Sequence, residues 1–237
     1  MIIAEIGINH NGDMSLAKTL INAAANAGAD CAKFQAYKSE VWAPPGAKRD
    51  MLKKYELSNE HLTYMKQLCD RAEIEFLCTP FDKERADFID PLVKEFKIGS
   101  GQANDLDFLA HVSSKGKPII LSTGMSSFED IRHSLTVIDV PVTLLHCVSL
   151  YPTAPNEAKL GRMVEMQNAF SYQIGYSDHT EGIAISLAAK ALGAVVIEKH
   201  ITLDKAMDGP DHAASITYSE LKALVDGCRR IGLSLSD

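Results

Sequence analysis

The chain has 237 residues, 46% of them hydrophobic and 23% charged, and its 24 basic against 31 acidic side chains leave a formal charge of −7. These proportions exclude the disordered, collagen-like and disulfide-scaffold classes, and an acidic chain without a Lys/Arg run is unsuited to nucleic acid or an anionic membrane. No apolar run approaches the ~18 residues that a spanning helix requires.

Folding at this length buries about 70% of the chain's surface, enough for one core without metal or disulfide staples. The five cysteines (Cys31, Cys69, Cys78, Cys147 and Cys228) are odd in number and widely spaced among apolar neighbours. They read as buried free thiols in a reducing compartment. Met1-Ile2-Ile3 opens directly on a strand with no signal peptide, so the expected location is the cytoplasm.

In chain order, the first predicted strand spans 2–9. A helix follows over 14–27, where Leu16, Leu20, Ile21 and Ala24 recur at helical spacing, Asp13 can cap the start and Gly28 suits the end. A strand over 31–37 leads into a long connection, 38–58, carrying the only Trp, the Pro44-Pro45 pair and Lys38, Lys48, Arg49, Lys53 and Lys54. A loop of that length inside a compact domain is functional or mobile. Helix 59–72, strand 75–80, helix 83–90, strand 95–101 and helix 106–114 come next. Then follow strand 118–124, helix 127–138, strand 142–148, helix 160–169, strand 172–178, helix 181–192 and strand 194–202. The last helix, 218–232, has Leu221, Leu224, Val225 and Cys228 as its apolar stripe.

Strands alternating with helices imply parallel pairing, because parallel neighbours need crossover connections. Continuously apolar strands such as those holding PIILS and VTLLH fit a sheet covered on both faces. Eight such units in this length match a (β/α)8 TIM barrel. The competing doubly wound sheet lacks its glycine-rich dinucleotide turn after the first strand. With no repeat, low-complexity tract or linker, residues 1–237 read as one domain.

Polar residues stand at the C-terminal ends of these apolar strands, the catalytic face of a barrel. Glu5 and Asn9 share a strand face by parity, with His10 just beyond; Lys33 and Gln35 share a face of the second strand. Thr79 ends the third, Lys97 leads into Gly99-Ser100-Gly101, and Ser122 and Thr123 end the fifth. Ser149 and Tyr151 follow the sixth, Ser177, Asp178 and His179 end the seventh, and Glu198 and His200 the eighth. A lysine in a strand ordinarily faces solvent, and strand-end Ser and Thr are ordinarily caps. Two lysines within apolar barrel strands are different, since an unpaired buried ammonium costs several kcal/mol. An anion should meet Lys33 and Lys97, and the GSG and STG segments suit close approach of a phosphate. His146 reads as a core histidine, and His61, His111 and His133 as exposed helix residues. His179 and His200 end consecutive strands and converge above the barrel mouth, where two neutral imidazoles suit a divalent metal with positions left for water and substrate oxygens. The loop 207–215 is either an ordinary turn or lays Asp211 and His212 over the same mouth.

The ordered set AEIGINHNGD (4–13), KFQ (33–35), CTPFD (78–82), FKIGSG (96–101), LSTGM (121–125), LLHCVSLYPT (144–153), IGYSDHT (174–180), IEKHIT (197–202) and GPDHAAS (209–215) resembles the sialic acid synthase family, N-acetylneuraminate synthase with its legionaminate and pseudaminate relatives. The resemblance spans essentially the whole chain. It implies a TIM-barrel transferase of sialic acid biosynthesis that condenses phosphoenolpyruvate with an N-acetylated hexosamine aldehyde such as N-acetylmannosamine, giving a nine-carbon 2-keto-3-deoxy acid and phosphate by C–O cleavage. It further implies a divalent cofactor, Mn²⁺ or Mg²⁺, held by His179 and His200 and polarising the aldehyde. Phosphoenolpyruvate would be held by Lys33, Thr79, Lys97, Ser100, Ser122 and Ser177. The essential acidic residue matches Glu5, and Gln35, Tyr151 and Asp211 match positions lining the metal and sugar region.

Three departures from the family pattern stand out. Gln102 replaces an acidic residue, and Ser149 stands in the substrate region where the family has asparagine. Members also continue into an antifreeze-like domain that reaches across a dimer with an arginine, whereas this sequence ends at Asp237, at the barrel. The implied partners are therefore the two small-molecule substrates, a second copy in a homodimer, or a separate antifreeze-like chain. Two alternatives to the synthase follow: a phosphoenolpyruvate-binding barrel subunit that needs such a chain for turnover, or a related phosphoenolpyruvate-dependent enzyme acting on another aldose.

Overall fold

The computed structural model of the protein describes residues 1–235. Its elements in order are β1 (Ile2–Gly7), α1 (Met14–Ala27), β2 (Cys31–Ala36), α2 (Ser39–Trp42), α3 (Ala47–Tyr55), α4 (Asn59–Arg71), β3 (Glu75–Pro80), α5 (Lys83–Ile89), β4 (Phe96–Ile98), α6 (Leu106–Ser113), β5 (Ile119–Ser122), α7 (Phe128–Leu135), β6 (Val142–Cys147), α8 (Leu160–Ala169), β7 (Gln173–Asp178), α9 (Ala184–Ala191), β8 (Ile197–His200) and α10 (Tyr218–Leu235). All strands pair in parallel in the order β3-β2-β1-β8-β7-β6-β5-β4. β3 and β4 lie side by side and bring the sheet round into a nearly closed barrel, although among the described residues they exchange no ladder pair. This is the (β/α)8 barrel that the alternation of strand and helix predicts.

Local chemistry sets the helix ends. The Asp13 carboxylate accepts from the Ser15 and Leu16 amides, and Gly28 closes α1 at φ 84°, a left-handed conformation that a side chain would strain. Ser58, Asp82 and Asp105 cap α4, α5 and α6 in the same way, and Ser127 with Asp130 forms a capping box on α7.

Two departures from the predicted elements matter for function. The connection 38–58 is not irregular but folds into α2 and α3, over a small apolar cluster of its own: Ile8, Tyr37, Ala43 and Leu52, with Met51, Tyr55 and Phe81 against it. β1 stops at Gly7 instead of running to residue 9. Its pairing with β2 jumps from Glu5↔Lys33 to Gly7↔Phe34, and Gly7 takes φ 54°. A side chain at Gly7 would stand 3.0 Å from a Glu5 carboxylate oxygen, so the bulge is what lets that carboxylate sit against the backbone.

Parity divides the strand side chains into two cores. Outward residues such as Ala4, Ile6, Phe34, Phe76, Phe96, Leu121, Leu144, Ile174 and Ile197 pack against the helices. Inward residues Ile3, Cys31, Leu77, Ile120, Leu145 and Val196 form a separate apolar layer inside the barrel. No described helix is long and apolar enough to cross a membrane. All five cysteines are free and buried. Space inside the barrel is tight: a methyl group at Gly175 of β7 would lie 2.6 Å from both the Leu145 side chain and the Val196 carbonyl. Gly175→Ala is expected to destabilise the protein by about 1–3 kcal/mol through overpacking, read as a lower urea midpoint at unchanged slope.

Candidate active site

Two residues further along five of the strands, the inward positions change from apolar to polar. Ile3 is followed by Glu5, Cys31 by Lys33 and Gln35, Leu77 by Thr79, Ile120 by Ser122, and Val196 by Glu198 and His200, the two-residue period of strands carrying each pair to one face. The apolar layer is thus a floor, and a charged layer sits on it. The thirteen residues that the family resemblance points to (Glu5, Lys33, Gln35, Thr79, Lys97, Ser100, Ser122, Ser149, Tyr151, Ser177, His179, His200 and Asp211) line one cavity of about 370 Å³ at the C-terminal mouth.

The two lysines are buried and face each other's territory. Lys33 Nζ stands 3.3 Å from Glu5 and 2.9 Å from Glu198, while Lys97 Nζ is 3.6 Å from Glu198 and donates to the Ser122 hydroxyl at 2.8 Å. Burial is the largest influence on both and works against their charge. For Lys33 the Glu198 and Glu5 carboxylates outweigh it and raise the pKa; for Lys97, with one carboxylate farther away, burial wins and the pKa falls to about 8. Glu198 is itself buried, which alone would raise its pKa, but the Lys33 and Lys97 ammoniums and a 2.8 Å bond from Ser177 hold it well below the usual carboxylate range. Lys33, Lys97, Glu5 and Glu198 therefore form a charge-balanced cluster. The Gln35 amide donates to the free side of Glu5 at 3.0 Å and orients it.

Hydroxyls and a glycine make the adjoining wall. Ser100 accepts from the Gly124 amide at 3.0 Å and contacts the Cys147 sulfur at 3.1 Å. A methyl group at Gly124 would fall within 2.9 Å of Ser149 Oγ, Ser100 Oγ and Cys147 Sγ, so only glycine leaves this corner open. Thr79 Oγ1 lies 3.5 Å from Lys33 Nζ, at the limit of hydrogen bonding. Such a cluster of small donors beside two ammoniums suits a phosphate group.

The imidazoles sit above. His179 and His200 have ring centroids 5.7 Å apart, with the Tyr151 ring 4.1 Å from His179 and 5.7 Å from His200. His179 Nδ1 donates to the Val148 carbonyl at 2.6 Å, so its Nε2 keeps a lone pair. Burial and the neighbouring His200 push His179 down to about 4, leaving it neutral at physiological pH. His200 Nδ1 is buried without a hydrogen bond, 3.6 Å from an Asp211 carboxylate oxygen. A neutral, oriented imidazole beside a second with an unsatisfied nitrogen and a carboxylate fits a divalent ion with positions left open, although no cluster of three or more metal-binding side chains gathers among the described residues.

Several expectations from strand parity change. Asn9 lies beyond the β1 bulge, buried, where its amide holds the Ile201 carbonyl at 2.8 Å and Ser215 at 2.9 Å, tying β1 to the loop after β8. His10 accepts from the Gly12 amide at 3.0 Å within that turn. Asp178 points away from the mouth and pairs at 3.0 Å with Lys199 in the shell under α9, where it also accepts from Thr180 and Ser186. Of the two residues in loop 207–215, Asp211 reaches the cavity, whereas His212 is buried against Thr202 at 2.7 Å and Asn11 at 3.2 Å. His146 is a core histidine on the Ala158 carbonyl at 2.9 Å. His133 is exposed, but His61 and His111 are half-buried, His111 pairing with Asp87 at 2.7 Å. Glu198 was visible in the sequence only as a strand-end carboxylate, and nothing in its spacing announced that it joins both lysines. The wall formed by Trp42, Met51 and Phe81 had no signal beyond the length of the connection.

A parallel barrel with paired lysines and carboxylates on its floor and two imidazoles at its mouth has the form of a small-molecule enzyme. The sequence pattern of the NeuB family matches residues 20–237. Among relatives, the N,N'-diacetyllegionaminic acid synthase of Campylobacter jejuni is 43% identical over 100% of this chain and 78% of its own length. The N-acetylneuraminate-9-phosphate synthase of Mus musculus is 39% identical over 99% of this chain and 70% of its own. A crystal structure of the N-acetylneuraminic acid synthetase of Leptospira borgpetersenii, in complex with citrate, superposes with a TM-score of 0.96 at 35% identity, over 100% of this chain and 85% of that one. The chain belongs to the NeuB family, the phosphoenolpyruvate-dependent synthases of sialic, legionaminic and pseudaminic acids.

Because Lys97 carries its proton below about pH 8 and loses it above, inorganic phosphate should bind more weakly as pH rises through that value, by up to ~tenfold per unit. Calorimetric titration between pH 7 and 9.5 checks this, and Lys97→Arg, whose charge persists, should flatten the profile.

Proposed function

We propose that this enzyme condenses phosphoenolpyruvate with an N-acylated hexosamine aldehyde and releases inorganic phosphate, forming a nine-carbon 2-keto-3-deoxy acid. The observation that carries this reading is the convergence of Lys33 and Lys97, joined through Glu198, beneath two imidazoles on the same cavity. Phosphoenolpyruvate brings a phosphate and a carboxylate to this floor. Lys33, Lys97 and Ser122 grip its anionic groups, while Ser100, Ser149, Ser177, Thr79 and the open corner at Gly124 receive the phosphate oxygens.

So held, the enol carbon C3 faces the mouth, where the sugar aldehyde enters between Tyr151, Gln35 and Asp211. A divalent ion, Mn²⁺ or Mg²⁺, would be held by His179 and His200 and, when bound, supplies Lewis-acid stabilisation of the oxygen on which charge develops. C3 bonds to the aldehyde carbon and C2 becomes cationic. Glu5, oriented by Gln35 and Lys33, lies on the same floor to stabilise that cation and to take the proton of the water that adds at C2. The proton that Glu5 takes passes to the former aldehyde oxygen, which becomes a hydroxyl; the C2–O bond to phosphate then breaks as the electron pair of the C2 hydroxyl O–H forms the ketone C=O, that proton leaves with the phosphate, and the ammoniums stabilise the departing hydrogen-phosphate dianion. A cytoplasmic setting is supported by the five free, buried thiols, and a homodimer or an antifreeze-like partner chain remains part of the proposal.

The test is phosphate release with phosphoenolpyruvate, Mn²⁺ or Mg²⁺ and a panel of N-acylated hexosamines, with the product identified by mass spectrometry. Release should require all three components. If phosphoenolpyruvate binds but turns over only when an antifreeze-like domain is added, the chain is a binding subunit instead. Glu5→Gln is expected to lower kcat by ~10²–10⁴-fold with little change in the KM for phosphoenolpyruvate. His200→Ala should abolish Mn²⁺ binding seen by electron paramagnetic resonance while leaving the circular dichroism spectrum intact.

A further inference from the structure

The turn after β1 and the loop 207–215 after β8 carry polar side chains that take no part in the proposed reaction, and these side chains meet. The Asn11 amide donates to the Asp208 carbonyl at 2.9 Å, and its oxygen lies 3.2 Å from His212 Nε2. An amide oxygen only accepts, so Nε2 is the donor of that bond. On its other side the His212 ring presents Nδ1 to the Thr202 hydroxyl at 2.7 Å. The ring is 1% exposed, so no solvent replaces these partners.

A second brace holds the far end of the loop. Ser215 Oγ accepts from the buried Asn9 amide at 2.9 Å and donates to the Asp211 carbonyl at 2.6 Å. Asp211 is thus held through its own carbonyl by Ser215 and through Asp208 and His212 by Asn11. The backbone is shaped to allow this. Gly209 takes φ 149°, and a side chain there would stand 2.6 Å from a His212 ring carbon and 3.1 Å from Asn11 Oδ1. Between the braces, Pro210 and Asp211 reach the cavity, with Asp211 3.6 Å from His200 Nδ1.

We infer that Asn11 and His212 are positioning residues, which latch the 207–215 loop across the barrel mouth and so set the Asp211 carboxylate where the sugar enters. This inference rests on the proposed reading of the cavity. Neither side chain lines the cavity, so both act through the loop they hold. A surface loop left to itself samples many conformers, and ordering it at each binding event weakens affinity. A group displaced by about 1 Å from a reacting centre can cost ~10²-fold in rate. Among the described residues, Lys33, Lys97 and the Ser100–Gly124 corner share no hydrogen bond with the latch, so anion binding is independent of it.

The experiment has two arms on His212→Ala. Hydrogen exchange of the ligand-free protein, read by mass spectrometry over 207–215, should quicken by at least ~tenfold while the barrel strands exchange as before. With phosphoenolpyruvate, Mn²⁺ and the hexosamine panel, kcat/KM for the sugar should fall by at least ~tenfold, with the calorimetric Kd for phosphoenolpyruvate unchanged. His212→Gln, which keeps a side-chain N–H for Asn11, should restore most of both. If His212→Ala does not fold, Asn11→Ala replaces it and should move both readouts the same way. Unchanged exchange over the loop, or equal losses for sugar and phosphoenolpyruvate, overturns the inference and leaves the synthase reading standing. A wild type that releases no phosphate with any hexosamine overturns that reading and the sugar role with it, whereas the exchange arm needs no substrate and judges the latch alone.

Discussion

The cluster formed by Lys33, Glu198, Lys97 and Glu5 is the constraint on which the site depends. Charged groups enter a barrel interior only if paired, because removing one partner leaves a buried charge whose desolvation outweighs ordinary packing gains. Here two ammoniums and two carboxylates meet within 2.9–3.6 Å. The pairing keeps both lysines aimed inward and fixes the orientation of their ammoniums in advance.

The rest of the barrel can be understood as support for that cluster. The apolar layer of Ile3, Cys31, Leu77, Ile120, Leu145 and Val196 seals it from the opposite end of the barrel and keeps the local dielectric low, which strengthens every interaction above it. Gly7 and Gly124 admit groups where a side chain would collide, Glu5 at one and the serine corner at the other. On the outer face of β7 and β8 a second buried pair, Asp178 with Lys199, obeys the same rule at 3.0 Å. It lies one residue before each imidazole in sequence, and it belongs to the shell because adjacent strand residues face opposite ways.

The cavity at the barrel mouth divides into three regions of different character. The floor is ionic, the rim holds imidazoles and a tyrosine ring, and the wall contributed by the segment between β2 and α4 is aromatic and aliphatic. The three regions therefore differ in what they can hold: charge at the floor, lone-pair nitrogens at the rim and apolar surface at the wall.

Much of this architecture is written locally. Alternating strand and helix signals specify a parallel barrel because parallel neighbours need crossovers, and period-two parity alone assigns Lys33, Gln35, Ser122, Ser177 and His200 to the interior. Capping by Asp13 and Gly28 is equally local, and the structure realises it. Other features required the closed barrel. Parity misplaced Asn9 because a bulge at Gly7 shifts the register and the strand ends there, beside the Glu5 carboxylate. Glu198 on β8 reaches Lys33 on β2 and Lys97 on β4, none of them neighbouring strands, so their meeting is decided by closure and stagger across the barrel. The aromatic wall likewise joins Trp42 of α2 to Phe81 just after β3, residues that only tertiary packing brings together. Sequence by itself determined which groups face inward, since that follows from backbone geometry; tertiary structure alone decided which of them touch, since those contacts cross the interior between segments far apart in the chain.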